Sequence, residues 1–197
     1  MVGSNILYKI ATEDVEFQQI HAINYQTFVE EIPQHPANPN RLLIDRFHAE
    51  NTYIIALDSA KLVGMLAVRD THPFSLEEKF QALTLGPLDS YLPHARRRCE
   101  VRLLSITLPY RHTACFYGLA NLLSNWFQSR GCDQIVVSAT TRQLKLYRHI
   151  GFVAFGPELG AGKACYQPMA LTEEGCAEGS MYLDRVASAR SACRFTP

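Results

Sequence analysis

The chain has 197 residues, 47% of them hydrophobic, with nineteen basic and nineteen acidic side chains and no formal net charge. That length supports one domain with a substantial core, and the charge balance argues against nucleic acid or an anionic membrane surface as the principal partner. No apolar run approaches the roughly 18 residues that span a bilayer, and "MVGSNILYKIATEDVEFQQ" has neither the plan of a signal peptide nor the Met-Gly start of myristoylation.

The first strand expected is "ILYKIAT". A helix follows from Thr12, a capping residue type, with acids in its first turn. Its apolar positions Val15, Phe17, Ile20, Ile23, Phe28 and Ile32 keep helical spacing, and the prolines of "PQHPANPN" make 33–40 a loop. Two β-rich runs, 52–57 and 62–68, flank the polar "DSAK" and read as a hairpin. "SLEEKFQAL" is a short helix and "LGPLDS" a turn. "CEVRLLSITL" (99–108) is too apolar for an edge strand and is expected at the centre of a sheet. The clearest helix is 113–130, with Phe116, Leu119, Ala120, Leu123 and Phe127 on one stripe and Gly131 as its stop. "QIVVSAT" is a buried strand and "RQLKLYRHI" a short helix. "FVAFG" and "CYQPMALT" are the last strands, around the turn "PELGAGK". Two central strand–helix–strand units predict parallel pairing. After Thr172 the pattern dissolves into a tail or linker, 173–197.

The six cysteines form no Cys-x-x-Cys pair and the seven histidines no His-x-x-x-His pair, so no metal is expected and the thiols read as reduced, in a cytoplasmic protein. Cys115 falls at a helix start, where thiolates are stabilised; the alternative is a small residue that fits. "HARRRCEVR" is the only dense basic run. On a regular strand Glu100, Arg102, Leu104 and Ile106 face one way. Glu100 and Arg102 then bind an amino acid or pair with each other, and Arg69 either holds a carboxylate or is a solvated strand end.

The order of elements, with "VRLLSITLPYRHTACFYGLANLLSNWFQSRG", "QIVVSAT" and "LYRHIGFVAFG", resembles the Gcn5-related N-acetyltransferase (GNAT) superfamily. The resemblance implies an α/β (α+β) GNAT acyl-CoA N-acyltransferase fold over 1–172, with a mixed central sheet of six to seven strands flanked by helices. The family's phosphate loop, Arg/Gln-x-x-Gly-x-Gly/Ala, corresponds to Arg111-His-Thr-Ala114-Cys-Phe116, and its Tyr-x-x-x-Gly-Phe to Tyr147, Gly151 and Phe152. The missing glycines do not remove the helix-start amides that bind phosphate. The donor site implied by the resemblance comprises Ile106, Thr107, Leu108, Arg111, His112, Thr113, Ala114, Cys115, Phe116 and Thr141. Glu100 stands where the family places its base and Tyr147 where it places the acid for the leaving thiolate. Arg69 and Arg102 are the substrate-binding candidates.

"LLIDRFHAENTYIIALDSAKLVGMLAVRDTHPFSLEEKF" with "CEVRLLSI" is similar to the acyl-homoserine-lactone and N-acyl amino acid synthases, which take acyl groups from CoA or acyl carrier protein. Asp45, Phe47, Val63, Gly64, Arg69, Pro73 to Phe80, Glu100 and Arg102 carry that likeness. The arginines and Trp that lactone synthases hold around "VFVEE" are absent from "INYQTFVEEIPQ", so lactone formation from S-adenosylmethionine is not expected. "RQLKLYRHIGFVAFGP" also resembles GNAT-like domains joined to a PLP-dependent aminotransferase, which implies a possible fused or partner PLP domain. The expected reaction moves an acyl group from acetyl-CoA, acyl-CoA or acyl carrier protein to a primary amine, such as that of an amino acid, in a ternary complex. The alternative is a non-catalytic GNAT-like ligand-binding or docking module.

Overall fold

The computed structural model describes residues 6–172 and Gly175. The tail expected at 173–197 therefore lies, Gly175 apart, outside the described residues. In chain order the elements are β1 (Ile6–Ile10), α1 (Asp14–Tyr25) running into a π-helical segment (Gln26–Glu31), β2 (Thr52–Asp58), β3 (Lys61–Arg69), α2 (Ser75–Ala82), β4 (Arg98–Ile106), α3 (Cys115–Ser129), β5 (Gln134–Thr140), α4 (Leu144–His149), β6 (Val153–Ala154) and β7 (Tyr166–Thr172). The seven strands form one mixed sheet in the order β1-β2-β3-β4-β5-β7-β6, so β4 is central, as its apolar sequence requires.

The chain divides into two compact units. The first contains the described residues up to Arg69, with Arg102–Leu123 and Ala161–Ala164. Its helix α1 starts at an acid-built cap. Glu16 Oε2 accepts the backbone N–H groups of Thr12 (2.9 Å) and Glu13 (3.2 Å), and Lys9 Nζ donates to its Oε1 at 2.7 Å. The carboxylate does the capping expected of Thr12. Ile20 and Ile23 are buried against Tyr53, Ile55, Met65 and Ala67, with Phe17 at the edge. Val15, expected on this stripe, is 61% exposed.

The hairpin closes through a two-residue turn. Ser59 and Ala60 both adopt positive φ (51° and 69°), the mirror-image geometry that matches strand twist. Gln19 fastens the turn to α1, donating to Ala60 O at 3.1 Å and accepting from Leu62 N at 2.8 Å. Tyr110 donates to Asp58 Oδ2 at 2.5 Å. On the sheet's other face a Cβ at Gly64 would lie 2.8 Å from Cys115 Sγ and 3.3 Å from Leu119 Cδ1. Only glycine lets α3 approach β3 this closely.

The second unit contains Asp70–Val101, Ser124–Gly160 and the described residues from Cys165 on. Here β4 pairs with β5 in parallel from Arg98–Gln134 to Val101–Val137. The parallel pairing expected after β5 does not form. β6 is only two residues long, and β7 turns back to pair antiparallel with both β5 and β6. A seven-residue partner satisfies β5's backbone groups where a two-residue strand cannot. Leu76 and Phe80 of α2 are buried with Val136, Phe155, Leu159 and Ala170.

The one dense basic run is neutralised internally. Arg96 Nε meets Asp133 at 3.1 Å, Arg97 and Arg130 share Asp70 at 2.6 and 3.0 Å, and Arg98 meets Asp89 at 2.7 Å. No helix among the described residues is long and apolar enough to cross a membrane.

Candidate active site

In the first unit β4 leads into the turn Leu108–Tyr110 and then α3. Thr107 anchors the strand end, with its N–H and Oγ1 both donating to Val63 O at 3.0 and 3.1 Å. Arg111 folds back: Nε donates to Ile106 O at 2.7 Å, and Nη2 meets Glu31 Oε2 at 2.5 Å. His112 takes positive φ (63°), which turns the chain into the helix, and it is exposed, as are Leu108 and Ala114. Thr113 Oγ1 donates to Tyr110 O at 2.6 Å and accepts the Cys115 N–H at 3.2 Å. One of the four orphan amides at the helix start is thereby taken. Phe116 is half-buried, its ring 5.8 Å from that of Tyr117.

Cys115 is fully buried, and burial pushes its thiol up to about 11. The thiolate that a helix start favours does not form here, because desolvation outweighs the dipole. Tyr8 flanks the same helix. Its OH donates to Ala114 O at 3.4 Å, and its ring fills the space beside Gly118.

Arg69 and Arg102 come together in the first unit. Their guanidinium carbons lie 3.9 and 4.9 Å from the Phe47 ring centroid, with Arg46 at 4.5 Å. Stacked guanidiniums keep their donor edges for in-plane partners. Arg69 is 2% exposed, so it is not a solvated strand end. Arg102 gives both Nη groups to Asp45, at 2.8 and 3.0 Å. Burial pushes the Asp45 carboxyl up, but the Arg102 charge, with bonds from Arg102, Phe47 N–H and Asn51, holds it below the usual range.

The expectation that Arg102 and Ile106 share a face is corrected. Leu103 has φ 55° and packs, like Arg102, on the side of β3 that carries Met65, Ala67 and Arg69. Ile106 lies against Gly64 on the other side. The irregularity at Leu103 breaks the two-residue alternation.

In the second unit Glu100 is 1% exposed, and α2 takes up its carboxylate. Oε2 accepts Ser75 N–H at 2.8 Å; Oε1 accepts Ser75 Oγ–H at 2.6 Å and Leu76 N–H at 3.0 Å. An anion at a helix N-terminus is favourable. The Glu100 oxygens thus face the start of α2. Tyr147 is buried on α4, its ring edge-on to Phe152 at 5.2 Å, and burial pushes its phenol up to about 12. Thr141, just past β5, is exposed and donates its N–H to Cys165 O at 3.4 Å. No group of three or more His, Cys, Asp or Glu side chains able to hold a metal occurs among the described residues.

The sequence reading missed Ser75, Glu31 and Tyr8. Each meets a partner at least 25 residues away, and no local spacing signals such a contact.

The mixed sheet, with a helix starting directly after its central strand, is a GNAT-like fold. The acetyltransferase (GNAT) domain family matches residues 23–121, just over half the chain, and the chain belongs to that family. It is an N-acyltransferase enzyme by class. Among solved structures it is similar to a CoA-dependent acyl-homoserine lactone synthase, BjaI, with MTA (TM-score 0.70, 18% identity, 87% of this chain and 83% of that one). It is also similar to the AHL synthase LasI (0.69, 19%, 85% and 89%) and to FeeM, an N-acyl amino acid synthase from uncultured soil microbes (0.67, 13%, 91% and 97%). At these identities the likeness is one of fold. A search of the curated proteins found no match.

Proposed function

We propose that the chain transfers an acyl group from acyl-CoA, with acyl carrier protein as the alternative donor, to a primary amine such as that of an amino acid. The observation that carries this reading is the turn Arg111–Cys115, which delivers the start of a fifteen-residue helix directly after the central strand. Helix-start amides and the adjacent guanidinium suit a pyrophosphate. The solved complexes of BjaI with isopentyl-CoA, and of NatC with CoA, support a CoA donor on this fold.

The amine attacks the thioester directly. A buried, neutral Cys115 does not support a covalent acyl-enzyme at the helix start. The amine proton passes to Ser75 Oγ while the Ser75 hydroxyl proton moves to Glu100 Oε1, 2.6 Å away. Tyr147, held neutral by burial, supplies the proton to the departing thiolate. Within the first unit, Arg69 and Arg102, gathered around Phe47, are the candidates for holding a carboxylate.

The test is a thermal-shift series with CoA and acyl-CoAs, followed by thiol release across a panel of amines. No shift with any thioester or acyl carrier protein sinks the reading. A second reading, a ligand-binding module without catalysis, is favoured by the engagement of Arg111 with Glu31 and of Glu100 with α2. A CoA shift with no thiol release for any amine selects it.

A further inference from the structure

One region of the first unit takes no part in the proposed chemistry. At Gln26 helix α1 changes from i→i+4 to i→i+5 bonding and stays π-helical for six residues to Glu31; the cap closes with Ile32 N–H on Thr27 O at 2.9 Å. Such runs are rare and are frequent at functional sites. Just before the change, Asn24 is 0% exposed, and neither its Oδ1 nor its Nδ2 has a hydrogen-bond partner. One turn earlier His21, 4% exposed, has an unpartnered Nδ1. Residues three apart share a helix face. Buried polar atoms without partners raise the energy of the conformation that holds them.

The last residue of the π segment, Glu31, meets Arg111 Nη2, and Arg111 is fixed in turn to Ile106 O. Both side chains are partly open to solvent, at 25% and 33% exposure, so an anion reaches them. Arg111 lies in the turn assigned above to the donor pyrophosphate. A phosphate competes with a carboxylate for the same guanidinium donors.

We propose that the Glu31–Arg111 ion pair is a latch that the acyl donor's phosphates open. Donor binding draws Arg111 away from Glu31 and frees the π segment. Asn24 and His21 then become available to hydrogen-bond the acceptor. This inference rests on the donor reading above.

The test is amide hydrogen exchange across residues 24–34, with and without coenzyme A, in the wild type, Glu31→Gln and Asn24→Leu. In the wild type coenzyme A lowers protection of the segment roughly tenfold. Glu31→Gln shows the lowered protection without ligand and binds coenzyme A several-fold more tightly, because no carboxylate competes. Asn24→Leu removes the unpaired amide, and its segment stays protected when coenzyme A is added. Coenzyme A that binds by thermal shift yet leaves 24–34 equally or more protected overturns the latch and leaves the donor reading standing. Absence of coenzyme A binding in the wild type and Glu31→Gln alike overturns the donor reading, and the latch with it.

Discussion

The Ser75 hydroxyl donates to Glu100 Oε1 at 2.6 Å, while the Ser75 and Leu76 N–H groups occupy the same carboxylate. Structural and chemical roles of Glu100 are separable through this arrangement. Glu100→Gln replaces an anionic acceptor at three buried donors, and it should cost about 2–3 kcal/mol by denaturant unfolding. Ser75→Ala keeps both backbone bonds, so it should cost only about 1 kcal/mol. If the hydroxyl relays the amine proton, Ser75→Ala should also lower thiol release roughly a hundredfold. An unchanged rate in Ser75→Ala would remove the relay.

Tyr147→Phe keeps the ring beside Phe152 and removes only the phenolic hydroxyl. Turnover should fall about ten- to a hundredfold, with the melting temperature shifted by no more than a few degrees. The phenol is raised to about 12 against about 10 in an unfolded chain, so its contribution to stability is complete below pH ~10 and fades as pH climbs from there towards 12. A fall in rate centred below pH ~9 should therefore persist in Tyr147→Phe; its disappearance would reassign that limb to Tyr147.

A Cβ at Gly118 would lie 2.1–2.5 Å from three ring atoms of Tyr8. The ring is rigid and packed between β1 and α3, so Gly118→Ala should destabilise the protein by about 1–3 kcal/mol. Pairing it with Tyr8→Ala should recover most of that loss relative to Tyr8→Ala alone. A double-mutant cycle by urea unfolding measures the coupling, and additivity would rule out the clash.

Asp45 carries a depressed carboxyl pKa beside Arg102. Its contribution to stability is whole above the unfolded value of about 4 and is lost as pH drops through the lower folded value. Asp45→Asn should cost about 2–4 kcal/mol at neutral pH, since it strands a partly buried guanidinium. Below pH ~4 the difference between variant and wild type should shrink. Melting curves from pH ~2 to 7 check it; a constant difference would show that the ion pair is not the source.

Local pattern carried the elements whose stabilising contacts repeat along the chain. The stripe Phe116–Leu119–Leu123–Phe127 identified α3, and the apolar run 99–106 identified a central strand, because each is shaped by one continuous buried face. Nothing in the sequence around Gly118 shows that Tyr8 fills the space beside it. What failed depended on partners distant in sequence. Arg102 finds Asp45 across 57 residues, and Glu100 finds Ser75 across 25. A single left-handed residue, Leu103, reverses the facing of its neighbours, and nothing in "VRLLSI" marks it. β7 displaces β6 from β5 by pairing length, a competition invisible in either strand alone.

The burial of three of the described thiols has a practical side. Cys99, Cys115 and Cys132 are enclosed, and the more open Cys165 donates to Glu158 at 2.7 Å. A thiol-reactive dye added to the folded enzyme should therefore meet little competition from these positions. The sulfhydryl it colours as turnover proceeds, read against the same enzyme without acyl donor, would be the one leaving that donor.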